Sequence, residues 1–252
     1  MAMKTAESMH WTTDLTAFSV SHVVVMSRTR SPIRSTVGLK AVMAVTGLVL
    51  VLFLVAHMLG NLKIFTGAED FDHYAHWLRD LGTPLLPYGW YLWLQRGALL
   101  IALAGHIWAA TMLALRARSA RPVRYAHRKK VQGSYAARTM RWGGVIIALF
   151  VIYHILDLTT GHLNPVGDPS RPQANVVADF APERWYVTLF YTLAVVALGF
   201  HLRHGAYSAL RSLGQQTSQG ERRARGLALL FAVALSVGYL VVPFAVLLGL
   251  VS

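Results

Sequence analysis

Five stretches of this chain stay apolar for longer than one buried face of a soluble helix requires, and polar residues gather between them. The runs cover about Val37–Leu59, Leu92–Leu115, Gly143–Thr160, Val187–Leu210 and Leu227–Leu250. Each matches the roughly 17–25 residues that an α-helix needs to cross about 30 Å of hydrocarbon. A backbone in lipid must satisfy its own hydrogen bonds, so such runs are expected to be helices. The third run is the shortest and is expected to extend back through Arg138–Trp142 into the headgroup region. Pro243 falls within the fifth, where it is expected to kink the helix without ending it. The pattern predicts an all-α membrane protein: a five-transmembrane-helix bundle over residues 35–252, preceded by an N-terminal arm, residues 1–34.

Composition agrees with that reading. Of the 252 residues, 55% are hydrophobic and 14% charged, whereas soluble domains carry about 25% charged residues. A net charge of +13 would suggest nucleic acid for a soluble protein, but here the bases sit in particular connections. Between the second and third runs lie Arg116, Arg118, Arg121, Arg124, Arg128, Lys129, Lys130, Arg138 and Arg141, with no acid. Between the fourth and fifth, Arg211, Arg222, Arg223 and Arg225 face Glu221 alone. The other two connections hold Glu69, Asp70, Asp72, Asp80, Asp168, Asp179 and Glu183 against few bases. The positive-inside rule then puts the N-terminus in the cytoplasm and the C-terminus outside, with membrane lipid and no nucleic acid as the expected surroundings. Trp77, Trp90, Tyr91, Trp93, Trp185 and Tyr186 fit an outer interfacial belt. The chain has no cysteine, which excludes disulfides, thiolate metal sites and iron–sulfur ligation by this chain.

Four histidines lie inside the apolar runs, one in each of the first four: His57, His106, His154 and His201. Ionisable residues are costly in a bilayer and mark cofactors or conduction paths. Four imidazoles on neighbouring helices suit two bis-histidine haems. A rise of about 1.5 Å per residue converts position into depth. His57 falls roughly 13 Å and His154 roughly 4 Å outside the midplane, while His106 falls roughly 4 Å and His201 roughly 10 Å inside it. Partners on one iron must share a depth. His57 with His201 differs by about 23 Å, and His57 with His106 or His154 with His201 by about 14–17 Å. That leaves His57 with His154 near the outside and His106 with His201 near the cytoplasm, irons about 15 Å apart in depth. With both axial positions filled, such haems carry electrons and do not bind oxygen.

These residues resemble the cytochrome b membrane-anchor subunit of succinate dehydrogenase and fumarate reductase, in its single-chain, five-helix, dihaem form. The resemblance rests on Ser35–Thr46 (STVGLKAVMAVT), Phe53–Phe65 (FLVAHMLGNLKIF), Gln95–His106, Tyr153–Leu158 (YHILDL) and Gly199–Gly205 (GFHLRHG). It implies two b haems, with ligands paired first helix with third and second with fourth. It implies flavoprotein and iron–sulfur partner subunits, the latter docked on the basic cytoplasmic loops, and a bacterial cell membrane. It also implies a quinone acceptor, menaquinone in the dihaem class, near the outer haem. Succinate oxidation and fumarate reduction are one reaction in two directions, and the residues do not choose between them.

Secondary sites follow from depth and spacing. Arg96, at the outer end of the second run, is the first candidate for the outer haem's propionates, against simple snorkelling to headgroups. Lys40 and His204 are the inner candidates. Asp157 follows His154 by three residues and is expected near its face, placed to take a proton in quinone chemistry. Glu69, His73 and Tyr74 lie in an outer connection as further quinone or proton candidates. Gly47, Gly60, Gly105 and Gly199 suit either close approach of a macrocycle or close helix packing.

Two other functions stay open on the residues alone. One is a dihaem cytochrome b partner of a hydrogenase or formate dehydrogenase; the other is a haem-free transporter or anchor using its histidines for protons or packing. The run Val20–Met26 is too short for a signal peptide. The basic arm of Arg28, Arg30 and Arg34 leads into the first helix, so translation is expected to start at Met26. N-terminal sequencing of the native protein is predicted to read from that region; a sequence beginning at Met1 or Ala2 removes the expectation.

Overall fold

The computed structural model describes residues 32–120, 132–212 and 217–252, with side chains for 33–120, 140–210 and 217–252. Met26, most of the basic connection after the second span, and His10, His22 and His127 lie outside the described residues. Seven α-helices follow in order: α1 (Thr36–Leu62), α2 (Ala68–Asp80), α3 (Trp90–Ser119), α4 (Gln132–His154), α5 (Pro172–Asp179), α6 (Trp185–Ser212) and α7 (Ser218–Leu247). No strand occurs among the described residues. Five helices, α1, α3, α4, α6 and α7, are long and apolar enough to cross a membrane.

Local chemistry sets several helix ends. Ser35 caps α1 by accepting from the Gly38 amide at 2.9 Å, and Thr217 caps α7 by accepting from Gly220 at 3.0 Å. α4 begins at Gln132, so the helix that carries the third span extends back through Arg138–Trp142. It runs on into a π turn, Ile155–Thr159. Pro243 lies inside α7, which continues to Leu247.

The bundle is held by small residues inside and large ones outside. α6 and α7 pack most extensively, followed by α1 with α3, α4 with α6, and α1 with α7. α7 buries Ala224, Ala228 and Ala232, four residues apart and therefore on one face. Gly199 of α6 meets α7 so closely that a Cβ there would lie 2.7 Å from Ser236 Oγ. Leu48, Leu52, Leu100, Leu149, Leu193 and Leu230 are exposed. That is the arrangement expected where the surrounding solvent is lipid, which gives apolar side chains no reason to hide and leaves close packing to join helices.

Two connections expected as loops contain helices, α2 and α5. α2 is amphipathic: Phe71 is buried with Ile64 and Val242, while Glu69, Asp70 and His73 stay exposed. Both helices are too short and too polar to resemble spans. They pack on each other at the acidic end of the bundle, beside the C-terminus. Asp72 Oδ1 accepts from the Gln173 amide at 2.9 Å, Arg79 donates to the Pro169 carbonyl at 3.1 Å, and Gln173 Nε2 donates to the Ser252 carbonyl at 3.2 Å. In the loop before α5, hydrogen bonds from Ser170 and then Arg171 hold the Asp168 carboxyl down at about 2. At the opposite end, Arg116 of α3 donates to the Arg34 carbonyl and to Thr36 Oγ1, tying α3 to the start of α1.

The Asp72 bond supplies an N-terminal cap to α5 from another helix. Asp72→Ala is predicted to destabilise α5 by about 1 kcal/mol, read as faster amide hydrogen exchange in α5 with exchange in α6 unchanged.

Candidate functional site

Four of the long helices each contribute one histidine. The structure brings His57 of α1 against His154 of α4, with ring centroids 5.9 Å apart and planes at 75°. It brings His106 of α3 against His201 of α6, with centroids 6.3 Å apart and planes at 58°. Neither α1–α4 nor α3–α6 is a closely packed helix pair. Each imidazole pair therefore spans a gap between helices whose main contacts are elsewhere. Two imidazoles bound to opposite sides of one metal ion, with bonds of about 2 Å, place their centroids roughly 6 Å apart. Both pairs have that spacing. Among the described residues no group of three or more His, Cys, Asp or Glu could hold a bare metal ion. A haem needs only two ligands from the protein, and the spacing of each imidazole pair fits that need.

The hydrogen bonds around the rings select the tautomer. Tyr191 donates its hydroxyl proton to Asp157 Oδ2 at 2.9 Å and lies 3.3 Å from His154 Nδ1. With its proton committed, the Tyr191 oxygen acts toward His154 as an acceptor, so Nδ1 carries hydrogen and Nε2 keeps its lone pair. Thr46 repeats the logic at the other pair: it donates to the Val42 carbonyl at 2.7 Å and lies 3.4 Å from His106 Nδ1. Orienting contacts of this kind are characteristic of metal-bound histidine. His201 Nδ1 is buried and makes no hydrogen bond. Phe53 stacks on His57 at 5.2 Å and Phe150 on His154 at 5.7 Å, which restricts both rings. Gly47 lets α1 approach His106, since a Cβ there would lie 3.3 Å from its Cε1.

Beyond His154 a polar chain continues to the acidic end. Asp157 and Asp179 are fully buried beside each other, and Arg184 donates to Asp179 Oδ1 at 2.8 Å. Burial first, and then the Asp157 carboxyl, push Asp179 up to about 7. Asp157 thus reaches His154 through Tyr191, and the π turn between them changes the spacing assumed for a regular helix.

The other expected site residues are more dispersed. Arg96 is exposed, its guanidinium lying over the Trp93 ring at 4.9 Å. Lys40 is exposed and His204 half-buried. Glu69 and His73 lie exposed on α2. Tyr74 instead packs on α1, its hydroxyl against Gly60 and its ring beneath Lys63 Nζ at 5.4 Å. Thr46, Tyr191, Asp179 and Arg184 were not singled out by sequence reasoning. Thr46 lies eleven residues from the histidine of its own helix and serves another helix's histidine, so no local spacing marks it.

The succinate dehydrogenase/fumarate reductase transmembrane subunit family matches residues 114–240, just over half of the chain. The chain belongs to this family. The matched segment holds His154 and His201, one member of each pair, while His57 and His106 precede it. No curated protein and no solved structure matches the chain. Family membership and five spanning-type helices make this a multi-pass membrane subunit of a succinate dehydrogenase/fumarate reductase complex.

The close approach at His106 is directly testable. Gly47→Val is predicted to cost about 1–3 kcal/mol through overpacking, measured by thermal unfolding in detergent. Gly97→Val, at a position where a Cβ meets nothing within 4 Å, is predicted to stay within about 0.5 kcal/mol of the parent.

Proposed function

We propose that this chain is the cytochrome b anchor of a succinate:quinone oxidoreductase, with residues 35–252 forming one domain that carries two b haems. One haem is held by His57 and His154, the other by His106 and His201. The observation that supports this most is the pair of imidazole couples at iron-bridging spacing, 5.9 and 6.3 Å, in a member of this family.

The basic end, with Arg116, Arg118, Arg222 and Arg223, faces the cytoplasm. There it docks the iron–sulfur subunit, itself fed by a flavoprotein subunit that oxidises succinate. When bound, each haem iron accepts and passes on one electron by alternating between ferric and ferrous. The chain's own residues make that possible. The histidine pairs would hold the two haems, while Tyr191 and Thr46 hold the Nδ1 protons and leave Nε2 with its lone pair. Lys40 and His204 at the basic end, and Arg96 at the acidic end, are placed to meet propionates.

Quinone, in this reading menaquinone, is reduced at the acidic, outer end of a bacterial cell membrane. Its reduction consumes two protons, and Asp157, Glu69, His73 and Tyr74 are the groups at that end that could deliver them. Electrons leaving a negative interior for the outside move with the membrane potential, a gain of about 2.3 kcal/mol per charge per 100 mV.

A dithionite-reduced minus oxidised spectrum of the purified protein is predicted to show two b-type haems per chain. His57→Ala loses one and His106→Ala the other, and succinate reduces both in the intact complex. Absence of b-type absorbance overturns the haem reading, and loss of the same haem in both variants overturns the pairing.

A further inference from the structure

Two aspartates are buried side by side at the acidic end of the bundle, and holding a haem does not require them. Asp157 sits in the π turn after α4 and Asp179 ends α5; neither side chain is exposed. Two of their four oxygens are satisfied: Asp157 Oδ2 by the Tyr191 hydroxyl at 2.9 Å, and Asp179 Oδ1 by Arg184 at 2.8 Å. The other two, Asp157 Oδ1 and Asp179 Oδ2, are buried without a donor. Two ionised carboxyls cannot donate to each other, and unpaired buried acceptors of like charge are unfavourable. One proton shared between the carboxyls satisfies both oxygens at once and removes the repulsion.

The site is connected on both sides. Inward, Tyr191 bridges Asp157 to His154 by contacts of 2.9 and 3.3 Å. Outward, the Arg184 side chain that holds Asp179 is partly open to the surface, at 23%. The titratable and charged groups around the pair are Tyr153 of α4, Arg184 in the turn just before α6, and Tyr186 and Tyr191 of α6. α7 meets this region with the apolar Val246. The acid that α2 brings to α5, Asp72, is turned to the Gln173 amide.

We propose that Asp157 and Asp179 form a proton-binding site that draws a proton from the outer surface when the haem held by His57 and His154 gains an electron. The proposal rests on the haem reading above. The electron would come from the iron–sulfur partner and reduce the haem by one electron. One proton leaves surface water, passes Arg184 and binds the carboxyl pair, so the buried region gains no net charge. The pair is suited to this because burial and mutual repulsion raise Asp179 to about 7. A group half-occupied near neutrality changes occupancy most when a neighbouring charge changes. Quinone bound at this end would then find a proton already stored beside the electron.

Two measurements on the intact complex in lipid nanodiscs test it. First, with the haems kept oxidised, infrared spectra are recorded across about pH 5 to about pH 9, spanning the shift from the ordinary carboxyl range. A protonated-carboxyl band that disappears near neutral pH in the parent and is missing in Asp179→Asn is expected. A band unaffected by Asp179→Asn overturns the shared-proton site. Second, the midpoint potential of each haem is titrated over the same range. The haem lost in His57→Ala is expected to fall in potential with rising pH, approaching one proton per electron, and to become pH-independent in Asp179→Asn while remaining bound. An unchanged slope in Asp179→Asn, or equal slopes on both haems, overturns the coupling.

Arg184→Gln serves if Asp179→Asn does not assemble. Removing the guanidinium from Asp179 is expected to move the pH break upward by about one unit, and an unmoved break overturns the proposal. A complex without b-type absorbance removes the proposed function and the coupling together. A haem-bearing complex with a flat potential overturns the coupling alone.

Discussion

An ionisable side chain in hydrocarbon is tolerated only where the bundle gives it a partner, and this molecule is arranged around four that need one. His57, His106, His154 and His201 each lie in a spanning-type helix, and each is turned toward another imidazole. The helices that carry a pair are not closely packed on each other. Close contact is made instead between α6 and α7, through the alanine face and Gly199, and between α1 and α3, through Gly47 and Gly105. Tight packing falls on these seams, and the histidine pairs face each other across helices that are not closely packed.

The two pairs are supported differently, and the difference has chemical consequences. His106 is oriented by a threonine on α1 whose own proton goes to the helix backbone. That contact ends within the membrane. His154 is oriented by Tyr191, whose proton goes to Asp157, and from there the chain runs through Asp179 to Arg184. The second pair is linked by hydrogen bonds to a carboxyl and, next to it, to a second carboxyl held by a partly exposed arginine.

The cap formed by α2 and α5 gives that polar chain its setting. Asp72, Arg79 and Gln173 bind the two short helices to each other and to the C-terminal carbonyl. Phe180, Val187, Tyr191 and Val246 form an apolar cluster beneath. Asp179 is therefore buried although its helix is polar and short, and burial is the first cause of its raised proton affinity.

Much of the architecture was legible in the residue order because membrane physics acts locally. A long apolar run must be a helix in lipid, the spacing of the runs counts the spans, and a uniform rise per residue turns position into depth. That sufficed to pair His57 with His154 and His106 with His201 as neighbours, before any contact was known. What residue order could not reveal was whatever depended on rotation about the helix axes and on the short polar segments. Thr46 and Tyr191 serve histidines on other helices, and the π turn after His154 resets the face that Asp157 presents. Asp179 becomes a partner of Asp157 only because α5 folds back beneath α2. Depth is a one-dimensional quantity carried by the chain itself; which groups meet at a given depth is set by packing in the other two dimensions, and only the tertiary structure decides that.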